Sequence, residues 1–215
     1  MKIDQHTDPM AYQPDMEITS SAIMEQVLAA RAAYDETVYT ADVVKQALLQ
    51  DHLTPEAFAA LLAPAAAPFL EQLAQRAQAE TRKHFGNAVN LFTPLYIANY
   101  CENHCIYCGF NCYNNIKRAK LTAAEIETEM QAIAAQGLEE ILILTGESPT
   151  MSDVHYIGAA CRLARKYFRV VGLEVYPMDS SDYAYLHQCG ADFVTVFQET
   201  YAPDKYGQLH LGGRK

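Results

Sequence analysis

Three cysteines lie within eight residues of one another, Cys101, Cys105 and Cys108, shortly after an apolar run that ends at Ala98. Thiols this close together can hold one metal centre. A tetrahedral zinc site takes four donors, usually as two separated pairs, whereas three thiolates suit a [4Fe-4S] cluster with one iron open to a small molecule. The spacing therefore predicts an iron-sulfur cluster with a free coordination position.

Two other interpretations of the cysteines are a zinc site and simple burial in the core. Cys112 follows Cys108 after three residues and His104 lies inside the loop, so four zinc donors could be assembled locally. Burial in the core as small apolar side chains is sufficient to explain Cys161 and Cys189. Disulfides need an oxidising compartment, and the N-terminal residues lack the apolar core of a signal peptide, so we expect reduced thiols.

The composition limits the binding partners and the cellular compartment that we expect for this protein. Among 215 residues, 26 are acidic and 16 are basic, which gives a formal net charge of -10. Such a surface argues against nucleic acid or an anionic membrane as the main partner. No apolar run approaches the roughly 20 residues of a membrane-spanning helix, so we predict a soluble protein of the cytoplasm.

The first 86 residues are predicted to form an arm and a helical extension. Residues 1–15 are polar, contain Pro9 and Pro14 and show no periodicity, so we expect a loose arm there. Apolar residues then recur at helical spacing as far as Gly86, where the segment ends. The predicted helices cover residues 16–34, 41–49, 55–64 and 65–85.

Residues 87–215 alternate between apolar strands and amphipathic helices. Thr122 and Glu125 form a capping box, which opens a helix that ends at Gly137. Apolar strands that alternate with helices predict an α/β fold with a parallel sheet covered by helices. The predicted strands are 88–98, 140–144, 170–175 and 193–197, and the later helices are 153–168 and 181–189.

The cysteine loop resembles the cluster motif of the radical S-adenosylmethionine (SAM) enzymes. Besides the spacing of the three cysteines, an aromatic residue, Tyr107, precedes the third cysteine, as is usual in that family. The resemblance implies a [4Fe-4S] cluster held by Cys101, Cys105 and Cys108, with Tyr107 packed beside the bound SAM. It also implies that SAM binds the open iron through its amino and carboxylate groups.

The residues that follow each predicted strand are candidates for contacts with SAM and a substrate, because parallel sheets bind ligands at the C-terminal ends of their strands. Gly146 would let the backbone approach the methionine part of SAM, and Thr145 and Glu147 could bind its ammonium group. Glu174 could hydrogen-bond the ribose. Tyr176 could border the adenosine, although a packing turn accounts for it equally well. The residues expected to face the substrate are Gln198, Glu199 and Tyr201.

Further blocks of sequence resemble the 2-iminoacetate synthases, the tyrosine lyases of thiamine biosynthesis. The likeness covers most of residues 40–213 and matches only the N-terminal half of that family. The matching blocks are 94–110, 115–118, 144–147, 174–177 and 196–201, with 61–64 and 69–77 in the helical extension.

This resemblance implies an activity, its cofactors and its partners. Enzymes of that family cleave SAM reductively to methionine and a 5′-deoxyadenosyl radical, which abstracts hydrogen from L-tyrosine. Scission of the Cα–Cβ bond then gives 2-iminoacetate (dehydroglycine) and p-cresol, with 5′-deoxyadenosine as the other product. The implied partners are a thiazole synthase, which uses the 2-iminoacetate, and reduced flavodoxin or ferredoxin as the electron donor.

Two features depart from the family pattern. Cys112 is a fourth thiol where the family has no ligand, and only four of the family's eight barrel strands are predicted. We therefore expect residues 87–215 to form the first four βα units of a TIM-type barrel, in a fragment, a truncated reading frame or half of a split enzyme. Two alternatives stay open. One is the tyrosine lyase of hydrogenase maturation, which shares the cluster loop and makes carbon monoxide and cyanide, and the other is a non-catalytic zinc-binding module.

Overall fold

The computed structural model describes residues 22–213 of the chain. The arm predicted at 1–15 and the beginning of the helix predicted at 16–34 lie outside the described residues. Contacts divide the described residues into two compact units, 22–89 and 90–213. Each unit has a hydrophobic core of its own.

The N-terminal unit is helical. Its elements are α1 (Ile23–Ala33), α2 (Ala41–Leu49), α3 (Pro55–Leu62) and α4 (Leu70–Phe85), with 3-10 helices at Glu36–Val38 and Pro64–Phe69. The structure confirms the bounds predicted for α2 and the start of α3, where the Thr54 hydroxyl accepts a hydrogen bond from the backbone N–H of Ala57. The helix predicted from residue 65 starts at Leu70 instead, after a 3-10 segment that contains Pro64 and Pro68.

Small side chains let these helices pack closely. The buried core consists of Val44, Ala47, Ala57, Ala60, Leu61 and Ala66. Arg76 of α4 ties the last turn of α2 into this unit, because its guanidinium donates to the carbonyls of Ala47 at 2.9 Å and Leu48 at 2.7 Å and also to the carbonyl of Gln50. These bonds supply partners for carbonyls that a helix end leaves without intrahelical donors.

No single helix among residues 22–213 is long and apolar enough to cross a membrane. Only α3 and residues 64–85 taken together have the required length and composition, and they are bent by 82° with respect to each other.

The C-terminal unit contains a four-stranded parallel sheet with the strand order β1-β2-β3-β4. Its strands are β1 (Phe92–Ala98), β2 (Glu140–Thr145), β3 (Val170–Glu174) and β4 (Phe193–Val194). The helices α5 (Ala123–Ala134), α6 (Val154–Ala164) and α7 (Ser180–Gln188) connect successive strands, and α8 (Pro203–Leu209) follows β4. This architecture confirms the predicted α/β class, and it corresponds to a partial TIM-type barrel.

The core of this unit lies between the sheet and its helices. The predicted capping box is present, since the Thr122 hydroxyl and the Glu125 carboxylate each bond the other residue's backbone N–H. It starts α5 so that Ile126 and Met130 are buried in the core. The strands contribute the alternate residues Leu95, Ile97, Ile141, Ile143, Val171 and Leu173. Leu142 and Leu144, on the other face of β2, are buried as well, so this inner strand is covered on both faces.

The end of the sheet differs from the sequence prediction. The strand predicted at 193–197 is only two residues long, and Val196 and Phe197 are exposed, so the prediction was wrong in length. The Phe193 ring packs directly over Gly172 of β3. A Cβ at position 172 would lie only 2.7 Å from the ring carbon Cε2, so a side chain there would collide with the ring. α8 was not predicted, although Pro203 stands at its first position, where proline is common.

The contacts of Arg76 give a stability prediction. We expect Arg76→Met to lower the free energy for opening α2 by about 1–3 kcal/mol, because buried carbonyls lose a charged donor. Arg82→Met, on the exposed side of the same helix, is the matched control, with an expected change of less than about 0.5 kcal/mol. Hydrogen exchange of the α2 amides measures both values. Equal changes in the two variants would contradict the role given to Arg76.

Candidate metal centre and cofactor site

The three clustered cysteines lie on irregular backbone directly after β1, at the C-terminal edge of the parallel sheet. Cys105 is buried, and Cys101 and Cys108 are half-buried. A turn joins the second and third cysteines, with the Cys108 N–H donating to the Cys105 carbonyl at 3.1 Å. All six cysteines of the chain are free thiols, as expected for a reduced protein.

The end of β2 holds this loop in place. The Gly146 N–H donates to the Ala98 carbonyl at 3.0 Å, and the Glu102 N–H donates to the Glu147 carbonyl at 2.8 Å. The Asn103 amide donates to the Glu147 carboxylate at 2.6 Å. The structure thus brings Gly146 and Glu147 to the cysteine loop, and the role predicted for them in binding SAM stays a prediction.

Gly146 is required by the polypeptide itself. A Cβ at this position would lie 2.9 Å from the carbonyl carbon of Tyr100, closer still to its oxygen, and 3.1 Å from the Cβ of Cys101. Real side chains essentially never approach a backbone so closely. The glycine was predicted to admit a cofactor, and the structure shows that it admits the backbone in front of the first cysteine.

One polar atom at this edge has no protein partner. The hydroxyl of Thr145 is buried and has no hydrogen-bond partner among the described residues. A buried hydroxyl without a partner costs free energy, so it is a donor and acceptor suited to a bound polar group. This observation fits a ligand with an amino or carboxylate group beside Gly146.

Arg118, a basic side chain next to the cysteine loop, has a structural role. The sequence is compatible with a solvated basic patch at Lys117, Arg118 and Lys120, but the structure overturns this for Arg118. Its guanidinium is half-buried and donates to the carbonyls of Asn99 at 2.7 Å, Phe110 at 2.9 Å and Asn111 at 2.6 Å. Arg118 therefore fastens the segment after the cysteines to the end of β1.

Glu174 and Tyr176 lie at the end of β3 and just beyond it. Glu174 is half-buried and is paired across the ladder with Leu144 of β2, which puts it at the same edge of the sheet as the cysteine loop. The Tyr176 hydroxyl donates to the Ser152 carbonyl at 2.7 Å and the side chain packs against the core. This contact supports the packing role of Tyr176, and contacts of both residues with SAM stay predictions.

The three residues predicted to face the substrate are exposed. Gln198 and Tyr201 lie in the loop after β4. Glu199 has a φ of 66°, a left-handed conformation that costs energy in a residue with a side chain. Glu199 acts electrostatically on Tyr107 of the cysteine loop. The structure therefore brings Glu199, among the three, to the candidate site.

His210 is a site residue that the sequence analysis missed. It is 2% exposed, and its Nε2 lies 2.7 Å from the Tyr107 hydroxyl. Burial, then the Cys105 thiol and the Glu199 carboxylate, raise the pKa of Tyr107, so this hydroxyl stays protonated. The available signal was the position of His210 four residues after Tyr206, on the same side of a short helix.

Two thiols of the cysteine loop have raised pKa values. Burial raises the pKa of the Cys101 thiol, and the Glu147 carboxylate and the Cys108 thiol act in the same direction, against backbone hydrogen bonds that lower it. Burial also raises the pKa of Cys112. Because thiolates are the metal ligands, binding of a positive centre here must release protons.

The cysteine loop supplies three thiols on a short stretch of chain. A tetrahedral zinc ion needs four donors. Each of the three thiolates that hold a [4Fe-4S] cluster with one open position binds a different iron. By its chemistry, the donor set Cys101, Cys105 and Cys108 fits such a cluster. Within residues 22–213, no group of three or more His, Cys, Asp or Glu side chains is gathered around one point.

Comparisons with known proteins point to one superfamily. The family model of the radical SAM superfamily matches residues 95–214. 2-Iminoacetate synthase of Escherichia coli (strain K12) is 44% identical over 176 residues, which are 82% of this chain and 47% of that protein. 3-Methylornithine synthase of Methanosarcina acetivorans is 30% identical over 162 residues, which are 74% of this chain and 46% of that protein. The chain thus spans about half the length of the curated relatives it matches.

A solved structure extends the likeness to the fold. HydG, a maturase of the [FeFe]-hydrogenase, superimposes with a TM-score of 0.75 and 26% identity, covering 90% of this chain and 44% of that one. Radical SAM proteins use a [4Fe-4S] cluster and SAM, the two cofactors predicted from the cysteine loop. By its matched family model, its cysteine spacing and its parallel sheet, the chain belongs to the radical SAM superfamily.

Proposed function

We propose that this chain carries the cluster-binding half of a radical SAM tyrosine lyase of the 2-iminoacetate synthase type. The observation that carries the proposal is the cysteine loop at the C-terminal edge of the sheet, held there by Gly146 and Glu147 of the neighbouring strand end. The 44% identity to 2-iminoacetate synthase supports the choice of reaction within the superfamily.

The proposed reaction cleaves the Cα–Cβ bond of L-tyrosine to 2-iminoacetate and p-cresol, with methionine and 5′-deoxyadenosine as the products of SAM. When bound, the cluster and SAM would supply the radical that abstracts hydrogen from tyrosine. The chain's own residues bind and orient these groups and keep water away from them. The 2-iminoacetate would pass to a thiazole synthase of thiamine biosynthesis.

The cluster ligands in this proposal are Cys101, Cys105 and Cys108. Cys112 is assigned no ligand role, because the family has no ligand at this position; its N–H donates to the Asn103 carbonyl at 3.0 Å. Thr145, with its unpartnered hydroxyl, and Gly146 would meet the methionine part of SAM. Glu147 is adjacent and would accept from the ammonium group of SAM.

The remaining cofactor and substrate contacts follow the order of the strands. Glu174 would accept hydrogen bonds from the ribose, and Tyr176 and Tyr107 would border the rest of the nucleoside. Gln198, Glu199 and Tyr201 would line the substrate side. The backbone strain at Glu199 supports a binding role there, since strained residues concentrate at functional sites.

A closed reaction chamber needs more strands than the four described ones. β1 and β4 are the edges of this sheet, and Tyr96 on β1 and Phe197 after β4 are exposed. Exposed edges and apolar side chains are normally covered. We propose that further strands, from this gene product or from a partner chain, complete the barrel in the cytoplasm and that reduced flavodoxin or ferredoxin supplies the electron.

The hydrogenase-maturation tyrosine lyase is the second candidate. The likeness to HydG, with a TM-score of 0.75, favours it, and the lower identity of 26% places it behind 2-iminoacetate synthase. Both candidates form p-cresol from tyrosine. They differ in the second product, which is 2-iminoacetate in one case and carbon monoxide with cyanide in the other.

The ligand assignment gives the first test. We expect Cys105→Ser to abolish cluster binding and Cys112→Ser to leave it intact, because only the first removes a thiolate of the predicted set. Anaerobic reconstitution followed by iron and sulfide analysis measures this, with about four irons per chain expected for the unaltered protein. Equal loss in both variants would show that the ligand set is wrong. One zinc per colourless chain would support the zinc-binding module instead.

The reaction is tested with reconstituted protein, SAM, a reductant and tyrosine. We expect p-cresol from this chain fused to the C-terminal half of the E. coli 2-iminoacetate synthase, with 5′-deoxyadenosine formed alongside it. The same fusion carrying Cys105→Ser is the control and should form neither product, since both depend on the cluster. The 215-residue chain is assayed in parallel to learn whether it acts alone.

The second product decides between the two lyases. Glyoxylate from hydrolysis of 2-iminoacetate, without carbon monoxide, supports the proposed function, whereas carbon monoxide and cyanide support the hydrogenase-maturation reaction. A fusion that binds the cluster and cleaves SAM but never forms p-cresol would overturn both tyrosine-lyase assignments.

A further inference from the structure

The chain that follows α8 returns to the cysteine loop and pairs with it. The His104 N–H donates to the Gly212 carbonyl at 2.8 Å, and the Leu211 N–H donates to the His104 carbonyl at 2.9 Å. The Ile106 N–H donates to the Leu209 carbonyl at 3.0 Å. Cys105 and His210 face each other in an antiparallel bridge. The middle cysteine therefore sits in a short two-stranded ladder.

The side chain of His210 adds a link to this ladder. Its Nδ1 lies 2.9 Å from the Tyr206 carbonyl in the last turn of α8. A carbonyl only accepts, so Nδ1 donates to it, and Nε2 is hydrogen-bonded to the Tyr107 hydroxyl, which also contacts the Glu199 carboxylate. The Tyr206 ring stacks on His210 at 3.9 Å, and the Tyr107 ring meets it edge-on at 5.5 Å.

The far end of the same segment fits against the start of the loop. Gly213 has a φ of 102°, and a Cβ there would lie 2.6 Å from the Cα of Asn103 and closer still to its amide oxygen. Asn103 is buried and bonded to Glu147. The returning segment thus contacts the loop from Asn103 to Tyr107.

We propose that residues 209–213 are a clasp that positions the cysteine loop before any cluster is bound, with His210 as the positioning residue for Tyr107. A loop with three metal-binding thiols must be ordered to bind a cluster, and ordering each residue costs free energy. The hydrogen bonds of the ladder and the Tyr107–His210 bond offset this ordering free energy when the chain folds. The inference uses the proposed function only in calling this loop the cluster loop.

Two substitutions at His210 separate its two hydrogen bonds. In His210→Asn the amide replaces Nδ1 at the Tyr206 carbonyl, and the contact with Tyr107 is lost. In His210→Gln the longer side chain reaches the Tyr107 hydroxyl, and the bond to Tyr206 is lost. Tyr107→Phe keeps the ring and removes the hydroxyl, and with it the contacts to both His210 and Glu199, so it should loosen the loop at least as much as His210→Asn does. His187→Ala is the matched control, because the His187 Nδ1 lies 2.9 Å from the Ala191 carbonyl and belongs to α7.

Hydrogen exchange of the metal-free 215-residue chain is the first readout and needs neither cluster nor activity. We expect the Ile106 and Leu211 amides to exchange about tenfold faster in His210→Asn and Tyr107→Phe, the effect of one lost buried hydrogen bond. His210→Gln and His187→Ala should exchange as the unaltered chain does. The double variant Tyr107→Phe/His210→Asn should match Tyr107→Phe alone, since the Tyr107–His210 bond can be lost only once.

The electron paramagnetic resonance spectrum of the reduced cluster is the second readout. We expect His210→Asn and Tyr107→Phe to require about tenfold more SAM for the half-maximal spectral change, with His210→Gln restoring the original value. Equal behaviour of the Asn and Gln variants, unchanged exchange in Tyr107→Phe, or additive effects in the double variant would overturn the proposal. If the chain passes the exchange test and its fusion to the C-terminal half of the E. coli enzyme forms no p-cresol, the tyrosine-lyase function is contradicted and the clasp stands.

Discussion

The close approach between the end of β2 and the start of the cysteine loop is the constraint on which the candidate site depends. Only a residue without a Cβ fits at position 146, because the Tyr100 carbonyl occupies that space. This approach lets the Gly146 N–H bond the Ala98 carbonyl and lets Glu147 bond both Glu102 and Asn103. A side chain at this position would push the loop away from the sheet, and the thiols would move with it.

The loop also satisfies its own buried polar groups. The Asn111 amide donates to the Cys105 carbonyl at 2.8 Å, the Asn103 amide donates to Glu147, and Arg118 bonds three carbonyls on both sides of the loop. Buried polar groups that are already paired need no ligand to stabilise them. The polypeptide itself therefore sets the shape of the loop. Burial raises the pKa of the Cys101 thiol, so a positive centre bound there would have to displace its proton.

Much of the fold could be predicted from the sequence because local signals and packing agree. The capping box at Thr122 and the continuous apolar run of β2 specify their elements without distant contacts. The end of β4 could not be predicted, since Val196 and Phe197 read as strand residues but have no neighbouring strand beyond them to pair with among those described. The partnership of His210 with Tyr107 joins residues 103 positions apart, which no local pattern encodes. For Arg118, charge predicted a solvent-exposed residue, and three backbone carbonyls outweighed that tendency.

Cluster binding and turnover place different demands on this unit. The core on the helix side of the sheet is complete within the described residues, with Ile97, Ile143 and Val171 fully buried. The cysteine loop is supported by the strand ends, by Arg118 and by residues 209–213, all within the described part of the chain, so its shape does not depend on additional strands. Radical chemistry on a substrate requires exclusion of water from the opposite face, where Tyr96 of β1 is half-exposed. Binding a cluster is therefore a property that four βα units can have by themselves, whereas controlled turnover requires a cover over the open face of the sheet.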